Sequence, residues 1–290
     1  MTPPDPSGLD SLPPLREVIR RHRLGARQHL GQHFLFDLNL TRRIARAAGD
    51  LTSGTSIEIG PGPGGLTRGL LAEGAGHVVT VERDPRCRAA LDEIAEVCPG
   101  RLTIVDADAL SRNLAGLGPP PRRVVANLPY NVGTQLLINW LMEIATDHRV
   151  VASLTLMFQR EVADRLVAVP GTKSYGRLTV LAQWLCEARR VLNVPREAFT
   201  PPPKVASTVV QLVPRQEPAH TADPDALQAV TAAAFGQRRK MLRQSLKSLG
   251  VDAVGLCDAA GVAPTSRAED LDVAAFCTLA RALSDVHATL

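Results

Sequence analysis

The residues with the clearest chemical potential are Asn127, Leu128, Pro129 and Tyr130, which directly follow a predicted β-strand. The side-chain carbonyl of Asn127 and the backbone carbonyl of Leu128 are two acceptors, suited to the two hydrogens of an exocyclic purine amine. Pro129 keeps the residue before it extended and so fixes the direction of the Leu128 carbonyl. Tyr130 offers a ring on which a flipped base stacks, a contact worth about 1–3 kcal/mol. This tetrapeptide predicts a site that aims a purine amine at an electrophile.

Such an amine is a weak nucleophile, because its lone pair is delocalised into the purine ring. Two acceptors that hold its hydrogens pyramidalise and aim the nitrogen, so catalysis is mostly positioning. No carboxylate base is needed, since the alkylated amine becomes acidic and releases its proton. The alternative is a simple turn, because asparagine and proline are common turn residues. Only 3% of the chain is aromatic, and a tyrosine at this strand end favours the binding site.

A glycine-rich loop, residues 60–65, follows an apolar strand at residues 56–59 and precedes a helical pattern. Strand, loop and helix are typical of the first unit of a doubly wound sheet, where ligands bind beyond the strand ends. Glycine permits positive φ and lets a ligand approach the backbone. Pro61 and Pro63 have no N–H to offer a diphosphate, which disfavours NAD. The loop therefore favours S-adenosylmethionine (SAM), which has a ribose and an adenine but no phosphate.

Two carboxylates follow the next two predicted strands. Glu82 ends one strand and is placed to accept hydrogen bonds from ribose hydroxyls, a role that serves NAD and SAM alike. Asp108 follows the other strand and is placed to accept from the adenine amine. The alternatives are a helix cap made by Glu82 and Asp84, and an ordinary surface carboxylate at Asp108. Their positions at strand ends favour ligand contacts for both.

The elements around these motifs alternate as they do in α/β proteins, which predicts a mainly parallel, Rossmann-like sheet. The last two strands are predicted to form a hairpin-like antiparallel finish. The predicted strands are residues 56–59, 78–82, 102–106, 123–126, 152–157, 188–194 and 207–213. The predicted helices are residues 38–48, 66–72, 86–97, 134–144, 178–185, 225–235, 239–249, 251–260 and 273–283.

The domain prediction has four parts: a disordered lead-in (1–14), a SAM-dependent methyltransferase domain (15–213), a linker (214–224) and a small all-α C-terminal domain (225–290). The five cysteines form no CxxC pair, so neither a zinc site, nor any other metal site, nor a disulfide framework is expected. No apolar run reaches the roughly 18 residues of a membrane span. A cytoplasmic protein without a membrane or metal partner is expected.

The net charge of +4 is unevenly distributed along the chain. Residues 16–46 carry +6 and residues 236–250 carry +5, which leaves −7 on the remainder. Two basic segments on a mildly acidic body indicate a polyanion held at two places. Two solvated helix faces are the alternative, and charge alone does not separate the two interpretations.

Taken together, these segments strongly resemble the rRNA adenine dimethyltransferases of the KsgA/RsmA type, over about residues 31–249. The family-like segments lie in order along the chain at residues 31–35, 58–67, 81–84, 127–130, 158–163, 175–178, 199–205 and 235–240. The resemblance implies SAM contacts at six residues: His33, Leu35, Gly60, Glu82, Asp108 and Asn127. The family usually has asparagine where this chain has His33, and a buried structural histidine is the alternative there.

The resemblance also implies an adenine slot formed by residues 127–130, with Phe158 and Phe199 near Tyr130 as stacking rings. Phe199 precedes a proline run that would hold its ring in place, and its alternative is an ordinary core aromatic. The family's substrate is a pair of adjacent adenosines, each dimethylated, in the 3′-terminal hairpin of 16S rRNA within an assembling 30S subunit. Unstacked hairpin bases suit individual recognition. The enzyme is expected to act as a monomer, gripping RNA phosphates through Arg238, Arg239, Lys240, Arg243 and Lys247.

Three alternatives remain at this point. A sister family methylates an adenosine of 23S rRNA and confers macrolide resistance, but its members differ around Leu128 and in the C-terminal portion. A ribosome-assembly or transcription factor could keep the fold without catalysis, against which the intact tetrapeptide and Glu82 argue. An NAD dehydrogenase is disfavoured by Pro61 and Pro63.

Overall fold

The computed structural model describes residues 7–25 and 33–289. The chain folds into two units: the first comprises Met1–Ala163 and Arg189–Pro214, and the second comprises Asp164–Ala188 and Arg215–Leu290. The predicted domain of residues 15–213 included the segment 164–188, which the structure instead groups with the C-terminal helices. The helix within this segment packs against two C-terminal helices, which explains the grouping.

The strands are β1 (Phe34–Leu35), β2 (Thr55–Ile59), β3 (Val78–Glu82), β4 (Leu102–Asp106), β5 (Arg122–Asn127), β6 (Ser153–Gln159), β7 (Cys186–Val194), β8 (Phe199–Thr200) and β9 (Ser207–Pro214). The helices are α1 (Ser7–Asp10), α2 (Leu15–Arg21), α3 (Leu38–Ala47), α4 (Gly65–Ala72), α5 (Arg88–Val97), α6 (Gly133–Thr146), α7 (Arg160–Leu166), α8 (Arg177–Leu185), α9 (Pro224–Gly236), α10 (Leu242–Ser245), α11 (Ala253–Ala259) and α12 (Val273–Thr289). Short 3₁₀ turns follow β3, β4 and β7.

The first unit is built on a seven-stranded sheet with the order β4-β3-β2-β5-β6-β9-β7. The five strands from β4 to β6 pair in parallel, and β9 pairs with β6 in the antiparallel direction. Every residue of β2 is buried, as expected of a strand covered on both faces by helices. The predicted Rossmann-like methyltransferase sheet, mostly parallel with an antiparallel strand late in the chain, is confirmed.

Two N-terminal features were not predicted. Ser7–Asp10 is helical although residues 1–14 were predicted to be disordered, because Leu9 and Leu12 pack against the hydrophobic core of the first unit. A small second sheet joins β1 to β8, with Phe34 opposite Thr200. The first two residues of the predicted family-like segment at 31–35 lie outside the described residues.

Helices α3 and α4 approach closely at Gly69, where an added Cβ would lie 2.8 Å from the Thr41 carbonyl carbon. Backbone at that distance cannot yield, so Gly69→Ala is expected to lower the free energy of unfolding by about 1–3 kcal/mol. Urea denaturation measures the loss. Gly236→Ala is the matched control, since an added Cβ there meets nothing within 4 Å. Equal stability of the Gly69→Ala variant and wild type would contradict this packing.

The second unit is helical, with α9 packed against α8 and α12. Its core contains a row of rings in which Phe235 lies 6.0 Å from Tyr175 and 5.4 Å from Phe276, measured between ring centroids. Trp184 is buried and donates its indole N–H to the His220 carbonyl. No helix of the described residues is long and apolar enough to cross a membrane.

The predicted helix over residues 239–249 is wrong in its first part. Lys240 closes a turn onto Gln237, and the backbone N–H groups of Leu242 and Arg243 donate to carbonyls of residues 266 and 264. These bonds tie the chain to a neighbouring loop, so helix α10 begins only at Leu242. A 3₁₀ turn, Leu246–Leu249, completes the segment.

Candidate active site

A cavity of about 320 Å³ opens in the first unit at the carboxyl ends of β2, β3 and β5. The loops that follow these strands line it, as the doubly wound topology requires. All six predicted cofactor contacts lie along this one cavity: His33, Leu35, Gly60, Glu82, Asp108 and Asn127. The tetrapeptide at residues 127–130 lines it as well. Strand ends therefore bring together residues that are far apart in sequence.

The glycine loop turns tightly beside this cavity. Gly60, Gly62 and Gly64 have φ values of 66°, 55° and 86°, a region that side-chain-bearing residues rarely adopt. An added Cβ at Gly62 would lie 2.9 Å from the Phe34 ring. The loop therefore requires glycine both for its turn and for its contact with β1.

Three N–H groups of the loop are engaged inside the protein. Gly60 donates to the Val81 carbonyl, Gly62 to the Glu82 carboxylate and Gly64 to the Pro61 carbonyl. Pro61 and Pro63 have no N–H. A diphosphate would need such donors, so the loop is built for a ligand without phosphates.

The Glu82 carboxylate is held in place by three backbone donors. Its Oε2 accepts from Gly62 at 3.0 Å, and its Oε1 accepts from Arg83 at 2.9 Å and from Asp84 at 2.8 Å. Burial raises the pKa of Glu82, while these N–H groups act in the opposite direction. Asp84 instead caps the turn that follows, accepting from the Arg86 N–H. A fixed carboxylate at the cavity edge can accept from two neighbouring hydroxyls.

Asp108 lines the cavity and is also committed to local structure. One oxygen accepts from the Leu110 N–H at 3.0 Å and the other from the Arg83 guanidinium at 3.1 Å. The Leu110 N–H is the largest cause that lowers the pKa of this carboxyl. Asp108 thus combines the predicted position at the cavity with the capping and surface contacts of the alternative.

The Asn127 side chain has a defined orientation. Its Nδ2 donates to the backbone carbonyl of His33 at 2.9 Å. Because a carbonyl only accepts, the amide nitrogen faces His33 and the amide oxygen remains an acceptor for another partner. Tyr130 is fixed in turn by a 2.8 Å hydrogen bond between its hydroxyl and the Ser207 Oγ.

A smaller cavity adjoins the tetrapeptide, and Leu128, Pro129 and Tyr130 line both cavities. Phe158 lines this smaller cavity, so the structure brings it together with Tyr130. Phe199 is not among the residues lining either cavity. It is 2% exposed and packs in the hydrophobic core, with its ring edge-on to His33 at 6.4 Å between centroids. That position is the one expected of a core aromatic.

Glu58 is a cavity-lining residue that the sequence analysis did not single out. It is 2% exposed, and its carboxyl accepts from the Thr67 hydroxyl at 2.6 Å. Burial raises the pKa of Glu58 to about 8, and the Thr67 hydroxyl only partly opposes this. The available signal was an acid between Ile57 and Ile59 in a strand with both faces covered.

Glu58 is expected to make the ligand-free protein less stable as pH rises. The pKa of Glu58 is higher in the folded protein than in the unfolded chain. Its contribution to the free energy of unfolding is therefore fully present below about pH 4.5 and is lost as the pH rises to about 8. The slope is at most about 1.4 kcal/mol per pH unit. Urea denaturation at pH 5, 6, 7 and 8 should show a steeper decline for wild type than for Glu58→Gln. Equal declines of stability with pH in wild type and Glu58→Gln would contradict a raised pKa at Glu58.

The predicted RNA-binding residues lie in the second unit. Arg239, Lys240, Arg243 and Lys247 are exposed. Arg238 is half-buried and makes an ion pair of 2.8 Å with Glu269, and it also donates to the Thr172 carbonyl. Of the N-terminal arginines, Arg42 and Arg46 share Glu73. The structure therefore separates four exposed cations from Arg238, which joins two loops of the second unit.

The family model described as ribosomal RNA adenine dimethylase matches residues 23–285. The chain belongs to this family. Membership confirms the predicted resemblance, the predicted enzyme class of rRNA adenine dimethyltransferases, and SAM as the methyl donor.

Curated relatives named ribosomal RNA small subunit methyltransferase A match nearly the whole chain. The Rhodospirillum rubrum protein is 62% identical over 94% of this chain and 93% of its own length. The Paracoccus denitrificans protein is 59% identical over 96% of this chain and 98% of its own length. Among solved structures, a dimethyladenosine transferase from Plasmodium falciparum matches with a TM-score of 0.70 and 25% identity. The match covers 87% of this chain and 98% of the Plasmodium chain. The 23S rRNA methyltransferase ErmE matches with a TM-score of 0.61 and 28% identity, over 87% of this chain and 99% of the ErmE chain.

Proposed function

We propose that this enzyme transfers methyl groups from SAM to the exocyclic amines of two adjacent adenosines in the 3′-terminal hairpin of 16S rRNA. The products are dimethyladenosines, made during small-subunit biogenesis. The relatives of about 60% identity, named as small-subunit enzymes, support this substrate over the 23S rRNA of ErmE. The observation that carries the proposal is the Asn127 amide, whose nitrogen is held by His33 so that its oxygen is left to accept.

The residues of the cavity fit SAM. Glu82 is fixed to accept from two ribose hydroxyls, and Asp108 lies one strand further along to accept from the adenine amine. Three N–H groups of the glycine loop are already bonded within the protein and two loop residues are prolines, which suits a ligand that lacks phosphates. When bound, SAM supplies an electrophilic methyl group on a sulfonium.

The acceptor side follows from the tetrapeptide. A flipped adenine stacks against Tyr130, whose ring is anchored through Ser207, and its amine donates to the Asn127 Oδ1 and the Leu128 carbonyl. These two acceptors aim the nitrogen lone pair, which is the main contribution of the protein to rate. The Leu128 carbonyl belongs to a buried residue that precedes proline, so its direction is fixed.

Four exposed cations of the second unit, Arg239, Lys240, Arg243 and Lys247, are proposed to bind RNA phosphates. Replacing all four of these residues by glutamine should weaken RNA binding. The slope of the logarithm of the binding constant against the logarithm of the salt concentration should become shallower by about 0.7 for each lost phosphate contact, the value for single strands. Affinity for SAM should not change. Arg238 stays unmutated, because its ion pair with Glu269 ties it to the fold. Equal losses of RNA and SAM affinity would indicate unfolding and contradict the assignment.

We further propose that the enzyme acts as a monomer in the cytoplasm on an assembling 30S subunit. The exposed cations Arg239, Lys240, Arg243 and Lys247 of the helical unit support a large RNA partner. An additional role as an assembly factor remains compatible with these residues, but the oriented Asn127 argues for catalysis.

The substrate is tested with purified enzyme, isotopically labelled SAM and small-subunit particles lacking the modification. Naked 16S rRNA and 23S rRNA serve as parallel substrates. Mass spectrometry of nuclease digests should find two dimethyladenosines in the 16S hairpin and none in 23S rRNA. Labelled adenosine in 23S rRNA instead would contradict the proposed substrate.

A further inference from the structure

His33 contacts three separate parts of the acceptor region. Its backbone carbonyl accepts from the Asn127 amide at 2.9 Å, and its ring centroid lies 5.1 Å from that of Tyr130 with a tilt of 34°. Its Nδ1 lies 2.7 Å from the carbonyl oxygen of Pro201. The first two partners belong to the methyl-acceptor tetrapeptide, and the third belongs to the proline run that follows Phe199. The three contacts all involve the acceptor side of the cavity.

The Pro201 contact fixes which nitrogen carries hydrogen. A carbonyl oxygen only accepts, so Nδ1 must be the protonated nitrogen and the donor. The two segments are also paired through backbone, with Phe34 opposite Thr200 and Leu35 opposite Phe199. The His33 imidazole thus adds one side-chain hydrogen bond next to the pairing of β1 with β8. This bond connects Pro201, the first residue of the proline run, to a residue that lines the cavity.

Asparagine at position 33 has the atoms to make the same bond. The amide nitrogen of asparagine is as many bonds from Cα as Nδ1 of histidine is. Asparagine at position 33 can therefore donate to the Pro201 carbonyl in the same way, although it has no ring to place against Tyr130. The feature common to both residues is a donor at the δ position.

We infer that His33 is a positioning residue of the acceptor slot, whose Nδ1–H locks the residue 199–203 segment against Asn127 and Tyr130. This role differs from the cofactor contact implied by the family resemblance, and it rests on the proposed function of the tetrapeptide. We expect this side chain to affect methyl transfer more than SAM affinity, because its ring and its Nδ1 contact Tyr130 and Pro201.

Three variants separate the contacts of the side chain. His33→Asn keeps the donor and loses the ring, His33→Phe keeps the ring and loses the donor, and His33→Ala loses both. His148→Ala, at an exposed histidine that follows α6, is the matched control. Single-turnover methylation, SAM affinity by calorimetry, and hydrogen exchange of the Phe199 and Thr200 amides without RNA are measured for each.

His33→Ala and His33→Phe should slow single turnover by about 10-fold to 100-fold, as a small misplacement of a reacting group does. Their SAM dissociation constants should stay within about threefold of wild type, and exchange at the Phe199 and Thr200 amides should accelerate. His33→Asn should recover wild-type exchange and most of the rate, since its donor satisfies the same carbonyl.

Two results would overturn the inference: SAM affinity that falls in step with the rate, or exchange in His33→Asn as fast as in His33→Ala. Hydrogen exchange is independent of the RNA substrate. Failure of the proposed function would therefore appear separately, as a wild-type enzyme that does not methylate the 16S hairpin while the exchange pattern of the variants is unchanged.

Discussion

Asn127→Ala is expected to reduce methyl transfer by about 10²-fold to 10³-fold, the loss typical when one preorganised polar contact to a reacting group is removed. The Asn127 Oδ1 is one of the two acceptors that hold the adenine amine, and its direction is set by the bond from Nδ2 to the His33 carbonyl. SAM affinity should fall by about tenfold at most, because Glu82 and Asp108 remain. Single-turnover kinetics and calorimetry measure the two quantities separately.

Asn131→Ala is the matched control for this variant. Asn131 lines the same cavity but is exposed, so its loss should leave the rate within about threefold of wild type. Asn127→Asp adds a second comparison, because it removes the donor to His33 and places a carboxylate beside a backbone carbonyl. An Asn127→Ala enzyme that methylates rRNA at close to the wild-type rate would show that the amide does not orient the amine.

Glu82→Ala is expected to weaken SAM binding by about 10-fold to 100-fold, since hydrogen bonds to a charged acceptor contribute about 1.5–3 kcal/mol. The variant also leaves the N–H groups of Gly62, Arg83 and Asp84 without their shared acceptor. Glu82→Gln keeps one carbonyl oxygen and the shape of the side chain, and it should lose less affinity than alanine. Calorimetric titration with SAM measures each loss.

The control for Glu82 is Glu96→Ala, which removes an exposed carboxylate of the next helix and should bind SAM as wild type does. Circular dichroism and urea denaturation establish that each variant is folded. Unchanged SAM affinity in a folded Glu82→Gln and Glu82→Ala pair would exclude this carboxylate from the cofactor site.

Local sequence predicted the cavity well because each of its walls is a strand end. The loop at residues 60–65, Glu82 and Asn127 all follow short β-branched runs, and parallel strands deliver such residues to one edge of the sheet. Each prediction needed only a few neighbouring residues. The two prolines of the loop, Pro61 and Pro63, already carry the distinction between SAM and NAD.

The contacts that fix the side chains were not predictable from one sequence, because they join distant segments. Asn127 bonds to His33, Tyr130 bonds to Ser207, and Phe34 pairs with Thr200. Phe199 illustrates the limit, since its place before the proline run fitted both a stacking ring and a core ring. In the structure its ring packs in the core of the first unit and does not line either cavity beside the tetrapeptide.

Tertiary contacts also overrode local patterns. The basic run around Lys240 has helical composition, but backbone bonds to residues 264 and 266 replace the first helical turns. Residues 164–188 follow the sheet in sequence and still join the helical unit, because α8 packs on α9 and α12.

The central claim is that residues 127–130 present an adenine of the 16S hairpin to SAM. It is tested most directly by mass spectrometry of 16S rRNA from cells that lack this protein and carry either wild type or Asn127→Ala on a plasmid. Two adjacent dimethyladenosines should return with wild type and remain absent with the variant at equal protein level. Dimethyladenosine at both positions in the Asn127→Ala cells, or at neither position with wild type, would contradict the account.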